Sequence, residues 1–212
     1  MSTLPTPKPK SVTINGQPYT LVAFYYPGSY TPWDTTYQAP FLGNFWVSPV
    51  TITASHHTET FKVSEAAFQA TKWWDAMDNQ GNPIRPQFAA CATGDAAFRL
   101  RQRLAGDPKH GIVAQGPSAD LTSAGLGRDG AMAVVLASKF QDPDLKAGLL
   151  ATGGAYLLEH NAVAGRDQYW SDNCDGSGSN ALGLALMTLR ASLGGQGAPA
   201  PAQLVSEFTK RV

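Results

Sequence analysis

The residues best placed to do chemistry in this chain lie in one run, Ser64 to Trp74, which holds an acid (Glu65), an amide (Gln69) and an amine (Lys72). A carboxylate can move a proton or stabilise a cation, and an amine can attack an electrophilic carbon or hold an anion. Ser64 suits a helix N-cap and Glu65 the positive end of the helix dipole. With Ala66, Ala67 and Ala70 as strong helix formers, the run predicts a helix over 64–77. At about 100° per residue, Glu65, Phe68, Gln69 and Lys72 share one stripe, and Ala66, Ala70, Trp73 and Met77 the next. Glu65 and Lys72 then stand about 10 Å apart along the axis, too far for a direct ion pair and well spaced to hold opposite ends of a sugar-sized ligand. The same pattern also describes a surface helix with a solvated polar stripe; the flanking alanines and paired tryptophans argue for a ligand face.

Other polar groups sit among aromatic or glycine residues. Gly43-Asn44 can make a tight turn that presents the Asn44 amide between Phe41, Phe45 and Trp46, or Asn44 can satisfy its own backbone. Asp167 and Trp170 share a short run. Gly176 and Gly178 precede a helix opening at Asn180, where backbone N–H groups could approach an anion. Asp172 and Asp175 oppose a bare phosphate there. Asn180 is equally a natural N-cap, Asp167 could cap its own turn, and Trp170 could be core. Arg99, Arg101 and Arg103 could meet phosphates, although a solvated face explains them too. His56-His57 has no Cys or acid at ligand spacing, so no metal site is expected. No cofactor is expected either.

Composition bounds the rest. The chain has 212 residues, 43% hydrophobic and 15% charged, with a formal net charge of zero. That suits one globular domain and argues against a general electrostatic nucleic-acid binder. No 18-residue apolar run occurs, so no membrane span is expected. Residues 1–10 read as a flexible arm without the apolar core of a secretory signal. Cys91 and Cys174 read as reduced thiols of a cytoplasmic protein.

These groups need elements to hold them. Asn15-Gly16 predicts a hairpin between Val12–Ile14 and Tyr19–Tyr26. Residues 27–40 read as an aromatic-rich loop, and Val50–Ala54 and Glu59–Val63 as strands around His56-His57. Asp78–Pro83 breaks the first helix. A second helix starts at Thr93-Gly94-Asp95 and stops at Gly106, followed by a long loop over 106–124. A third runs over 128–140. Asp142-Pro143 starts a fourth over 143–151, a short strand or turn covers 156–159, and a last helix spans 180–193. Residues 194–202 read as a linker and 203–212 as a short amphipathic helix.

Taken in order, several pieces resemble the NADAR family (NAD- and ADP-ribose-associated, including YbiA-like N-glycosidases). They are Phe41-Leu42-Gly43-Asn44-Phe45; Glu65, Gln69 and Lys72; Arg128 and Met132 before Lys139-Phe140; Leu150-Ala151-Thr152-Gly153; Asp167 and Trp170; and Gly178 and Asn180 through Leu186-Met187 to Arg190. No piece is specific alone; their order is the signal. Where the family usually has Trp-Gly, this chain has Trp170-Ser171, and a family tryptophan is replaced by Ala124.

The resemblance implies an α+β, mainly helical fold. One domain over 11–193, with several helices and short N-terminal β-strands, is expected, with a linker and tail over 194–212; the resemblance covers roughly residues 24–193 and does not account for the N-terminal hairpin or the tail after Gly194. It also implies cleavage of an N-glycosidic bond at ribose C1′. Glu65 would be acid/base and charge stabiliser, and Asp167 would orient ribose hydroxyls or water. Trp170 would stack on a base, and Asn44 and Asn180 would bond ribose or phosphate. Phe45, Gln69 and Gly178 would complete the substrate contacts. Lys72 would either form a Schiff base with the opened sugar or stay charged and bind phosphate. Substrates in view are ADP-ribosylated guanine, in nucleic acid or nucleotide, and phosphoribosylamino-pyrimidine intermediates of riboflavin synthesis. A non-catalytic ADP-ribose or NAD sensor is the reading from another class.

Overall fold

The computed structural model describes residues 4–27, 31–54, 56–106, 127–199 and 204–212. The chain gathers into two compact units. A terminal unit joins Met1–Gly43 with Pro143–Val212, and a central unit spans Asn44–Asp142.

In the terminal unit, β1 (Lys10–Ile14) and β2 (Gln17–Phe24) form the expected antiparallel hairpin. Asn15 and Gly16 both have positive φ, 50° and 77°, as a two-residue hairpin turn requires. β2 also pairs in parallel with β5 (Tyr156–Glu159), giving the strand order β1-β2-β5. The 27–40 segment is not wholly loop: Pro32 at a helix start supports α1 (Pro32–Tyr37). α6 (Pro143–Ala151) and α7 (Ala181–Ser192) follow the expected bounds closely, and α8 (Val205–Thr209) closes the tail.

A fully buried arginine holds this unit's end together. Arg190 donates from Nη1 to Thr152 Oγ1 (2.7 Å) and from Nη2 to Ala155 O (2.9 Å) and Gly197 O (3.0 Å). Its Nε donates to Gln196 O (2.7 Å). Burial pulls its guanidinium down to about 10. At the other end, the Lys8 N–H donates to Tyr37 O (2.8 Å), tying down part of the N-terminal arm.

In the central unit, β3 (Val47–Ala54) and β4 (His57–Val63) pair antiparallel. Ser48, Val50, Ile52 and Ala54 alternate inward, so one face is core. Against this ribbon lie α2 (Ser64–Thr71) and α5 (Gly127–Lys139), with α3 (Arg85–Ala89) and α4 (Gly94–Gly106) beside α2. Thr93 Oγ1 accepts the Ala96 N–H (3.2 Å) and so caps α4. The loop expected over 106–124 lies, beyond Gly106, outside the described residues. Among the described residues no helix is long and apolar enough to cross a membrane.

Two expectations for α2 need correction. The helix ends at Thr71 rather than 77, and Ser64 is its first helical residue rather than its cap. Lys72 N and Trp73 N bond back to Gln69 O and Ala70 O, an i→i−3 tightening that turns the chain. The turn buries both indoles: Trp73 stacks on Phe88 at 5.7 Å, and Trp74 Nε1 donates to Ala54 O (3.0 Å). Two adjacent tryptophans on a straight helix would point about 100° apart. Burial of both decides the ending.

Candidate functional site

Every residue of α2 is buried, so its polar stripe is not a solvated one. Glu65 is 7% exposed and Gln69 5%. Gln69 Nε2 donates to Glu65 Oε1 (2.8 Å), and Lys72 Nζ donates to Gln69 Oε1 (2.8 Å). The acid and the amine, too far apart to pair directly, are thus joined through the amide between them. Lys72 Nζ also lies 4.8 Å from the centre of the Phe68 ring, within cation–π range.

Asn44 joins this group through its backbone, whose carbonyl accepts the Glu65 N–H (3.0 Å). Its side-chain Nδ2 faces Met132 Sδ (3.5 Å), a weak acceptor, and its buried Oδ1 has no hydrogen-bond partner among the described residues. A buried amide oxygen without a donor is costly unless a ligand or water supplies one. Phe45 lies against Gly94 at the start of α4. A Cβ on Gly94 would stand 2.6 Å from Phe45 Cγ, so the ring would have to move. Gly94→Ala is therefore expected to cost about 1–3 kcal/mol as an overpacked contact. Denaturant unfolding checks this, and an unchanged midpoint would place the Phe45 ring elsewhere.

The other candidates, Asp167, Trp170, Gly178 and Asn180, belong to the terminal unit. Asp167 Oδ1 accepts the N–H groups of Tyr169 (3.0 Å) and Trp170 (2.9 Å), so this carboxylate caps its own turn. Trp170 is half-buried, its ring edge-on to Tyr169 at 5.0 Å. Asn180 stands at the N-cap position of α7 with φ 49° and makes no side-chain cap bond. Its fully buried amide accepts the Glu159 N–H (2.9 Å) and donates to Leu157 O (2.9 Å), fastening α7 to β5. At Gly178 a Cβ would stand 2.7 Å from the Asp172 carbonyl carbon, so this glycine serves close packing of backbone on backbone. The N–H groups expected to approach an anion are already used: Ser179, Asn180, Ala181 and Leu182 donate to the carbonyls of Gln168, Ser171, Tyr169 and Trp170.

Asp172 likewise faces the interior. It is fully buried, accepts the Asn161 and Cys174 N–H groups and the Thr209 hydroxyl, and meets His160 Nδ1 at 2.6 Å. Burial alone would raise its pKa; the bonds and charge of His160, with Cys174 and Thr209, more than offset that and hold it below the usual carboxylate range.

No family model matches the chain. It is 32% identical over 126 residues to N-glycosidase YbiA of Escherichia coli (strain K12), a match covering 52% of this chain and 76% of that protein. The chain belongs to the YbiA/NADAR family. A riboflavin biosynthesis protein of Vibrio vulnificus (strain YJ016), VVA0006, is 31% identical over 154 residues, covering 72% of this chain and 35% of that longer protein. The NMR structure of E. coli YbiA matches with a TM-score of 0.54 at 24% identity, over 82% of this chain and 86% of that one. The α+β, mainly helical fold is therefore a YbiA fold.

Electrostatics single out Lys72 among the residues of this YbiA-family chain. Burial pulls its ammonium from the usual 10.5 down to about 8; Glu65 acts against the fall, while Arg101 and Arg128 add to it. About a tenth of Lys72 is then neutral at pH 7. Arg101 and Arg128 are its cationic neighbours: the sequence marked the first in an arginine row and the second in a family motif, but placed neither beside Lys72. Arg101 stood in a row of three arginines, but only the packing of α4 sets it apart, half-buried where Arg99 and Arg103 are exposed.

Proposed function

We propose that the chain hydrolyses the bond between ribose C1′ and a base nitrogen, and that its substrate is ADP-ribosylated guanine in nucleic acid. The hydrolase class rests on the N-glycosidase relatives. The observation that carries the mechanism is the Glu65–Gln69–Lys72 chain, a buried acid in the first turn of α2 joined through an amide to a partly neutral amine at its C-cap. The step needs only groups of the central unit. The C1′–O4′ bond breaks with O4′ taking a proton from water, which leaves an iminium between C1′ and the base nitrogen, and the neutral Lys72 Nζ adds to C1′. The Glu65 carboxylate takes the proton that Nζ sheds and passes it to the base nitrogen; the base leaves with its bonding electron pair, and C1′ and Nζ are left as a Schiff base. Water adds to C1′, the C1′–Nζ bond breaks, and the sugar leaves as its aldehyde with the amine restored.

The polymer substrate rests on α4. Arg99 and Arg103 lie one turn apart on the wall of an open groove of about 610 Å³, with Gln87, Cys91 and Gln102. Two exposed guanidiniums over amide groups suit a phosphate backbone, and such binding weakens steeply with salt. The assay is turnover of an oligonucleotide carrying ADP-ribosylguanine beside a phosphoribosylamino-pyrimidine. Arg99→Glu with Arg103→Glu is expected to lower kcat/KM on the oligonucleotide at least ten-fold at low salt and to flatten its salt dependence. An unchanged salt slope would remove the groove from the reading.

The second reading is hydrolysis of phosphoribosylamino-pyrimidine intermediates, favoured by the name of the Vibrio relative. It predicts turnover of the small substrate, insensitive to the two arginines. Binding of ADP-ribose without turnover of either substrate would instead support a sensor.

A further inference from the structure

The amide of Gln69 has a fixed direction. A charged Lys72 ammonium can only donate, so it faces Oε1; a carboxylate accepts, so Glu65 faces Nε2. Both ends of the side chain are therefore occupied inside the protein, and Gln69 is 5% exposed. A group so placed has little left to offer a substrate.

We propose that Gln69 is a positioning residue, whose amide keeps the Glu65 carboxylate and the Lys72 amine apart and oriented, rather than a substrate contact. The inference rests on the glycosidase reading for its kinetic consequence and on geometry alone for its structural one. A carboxylate touching Lys72 would hold the amine charged, and a charged amine has no lone pair with which to attack C1′. An amide oxygen accepts one N–H of Lys72 and carries no charge. The neutral amine then keeps its lone pair turned away from Gln69. The same amide donates to Glu65 and so holds the acid at its own end of the chain. Beyond these α2 groups, Lys72 meets the charges of Arg101 from α4 and Arg128 from α5, both of which disfavour its protonation. Arg85 of α3 is turned to Trp74 O (3.1 Å) and to Glu59 of β4 (3.9 Å).

Two variants test this, with far-UV circular dichroism and unfolding midpoints confirming the fold. Gln69→Glu puts a carboxylate against Lys72. The amine is expected to titrate at least one pH unit higher, read by NMR of labelled lysine, and kcat at pH 7 to fall at least ten-fold with its alkaline limb moved up equally. Gln69→Met keeps the length and removes both hydrogen bonds; kcat is expected to fall with KM within about three-fold. A substrate contact would behave oppositely, with KM raised and the pH profile unmoved, and that result overturns the proposal. So does an identical Lys72 titration in wild type and both variants, whether or not the protein turns over. A wild type without turnover whose Lys72 titration still moves in Gln69→Glu would sink the glycosidase reading and support the role of Gln69.

Discussion

Glu65→Gln is expected to lower kcat by about 10²–10⁴-fold with little loss of stability, because it removes a proton donor and a charge without changing shape. The substituted amide can still accept the Gln69 Nε2–H bond that now ends on Glu65 Oε1. The loss therefore reports charge and proton transfer rather than packing. A second consequence has a definite sign. Glu65 is the charge that resists the fall of the Lys72 pKa. Without it the amine deprotonates at lower pH, so whatever activity remains should begin its rise at a lower pH than in wild type. Single-turnover rates across pH 5–10 check both points. A Glu65→Gln enzyme within three-fold of wild type would leave no acid/base role for this residue.

Lys72→Met is expected to abolish turnover by about three orders of magnitude or more, as removal of a nucleophile does. Borohydride should trap a sugar on the wild type and none on the variant. The pH dependence separates the two roles of this lysine. A nucleophile must be neutral, so kcat rises as pH passes about 8. A phosphate holder must be charged, so affinity falls over the same interval and KM rises.

The same substitution should stabilise the protein at neutral pH. The ammonium titrates at about 8 when folded and near 10.5 when unfolded. Between those values the unfolded chain holds the extra proton, so stability climbs with pH across that window. Below about pH 8 the cost of the buried charge is present in full. A gap of about 2.5 pH units corresponds to about 3 kcal/mol. The lost bond to Gln69, the lost contact with the Phe68 ring and partial solvent access reduce this to about 1–2 kcal/mol. Urea unfolding at pH 7 and pH 10.5 should show a gain for Lys72→Met at the first and almost none at the second. A less stable variant at pH 7 would mean that the charge is well solvated and the amine ordinary.

Much of the fold was legible because its signals are carried by one or two residues. Asn15-Gly16 turns a hairpin through left-handed backbone that few other residues adopt, and Pro143 opens α6 where a missing N–H costs nothing. Thr93 caps α4 with its own hydroxyl. Asn180 was harder. Its residue type suits a cap, yet its amide is claimed by Leu157 and Glu159, more than twenty residues away in the chain. Asp172, read as a charge opposing phosphate at the glycine loop, is sealed against His160.

By itself the sequence determined the class of chemistry available: an acid, an amide and an amine at fixed intervals along a helix, with the run of motifs that marks the family. Helical spacing is set by backbone geometry, so it is readable locally. Only the tertiary structure decided that α2 is buried on every side, that it stops at Thr71 to bury two indoles, and that Lys72 shares its surroundings with Arg101 and Arg128. Those outcomes depend on which distant surfaces exclude water from α2. Exclusion of water is what turns an ordinary lysine into one that is partly neutral near physiological pH.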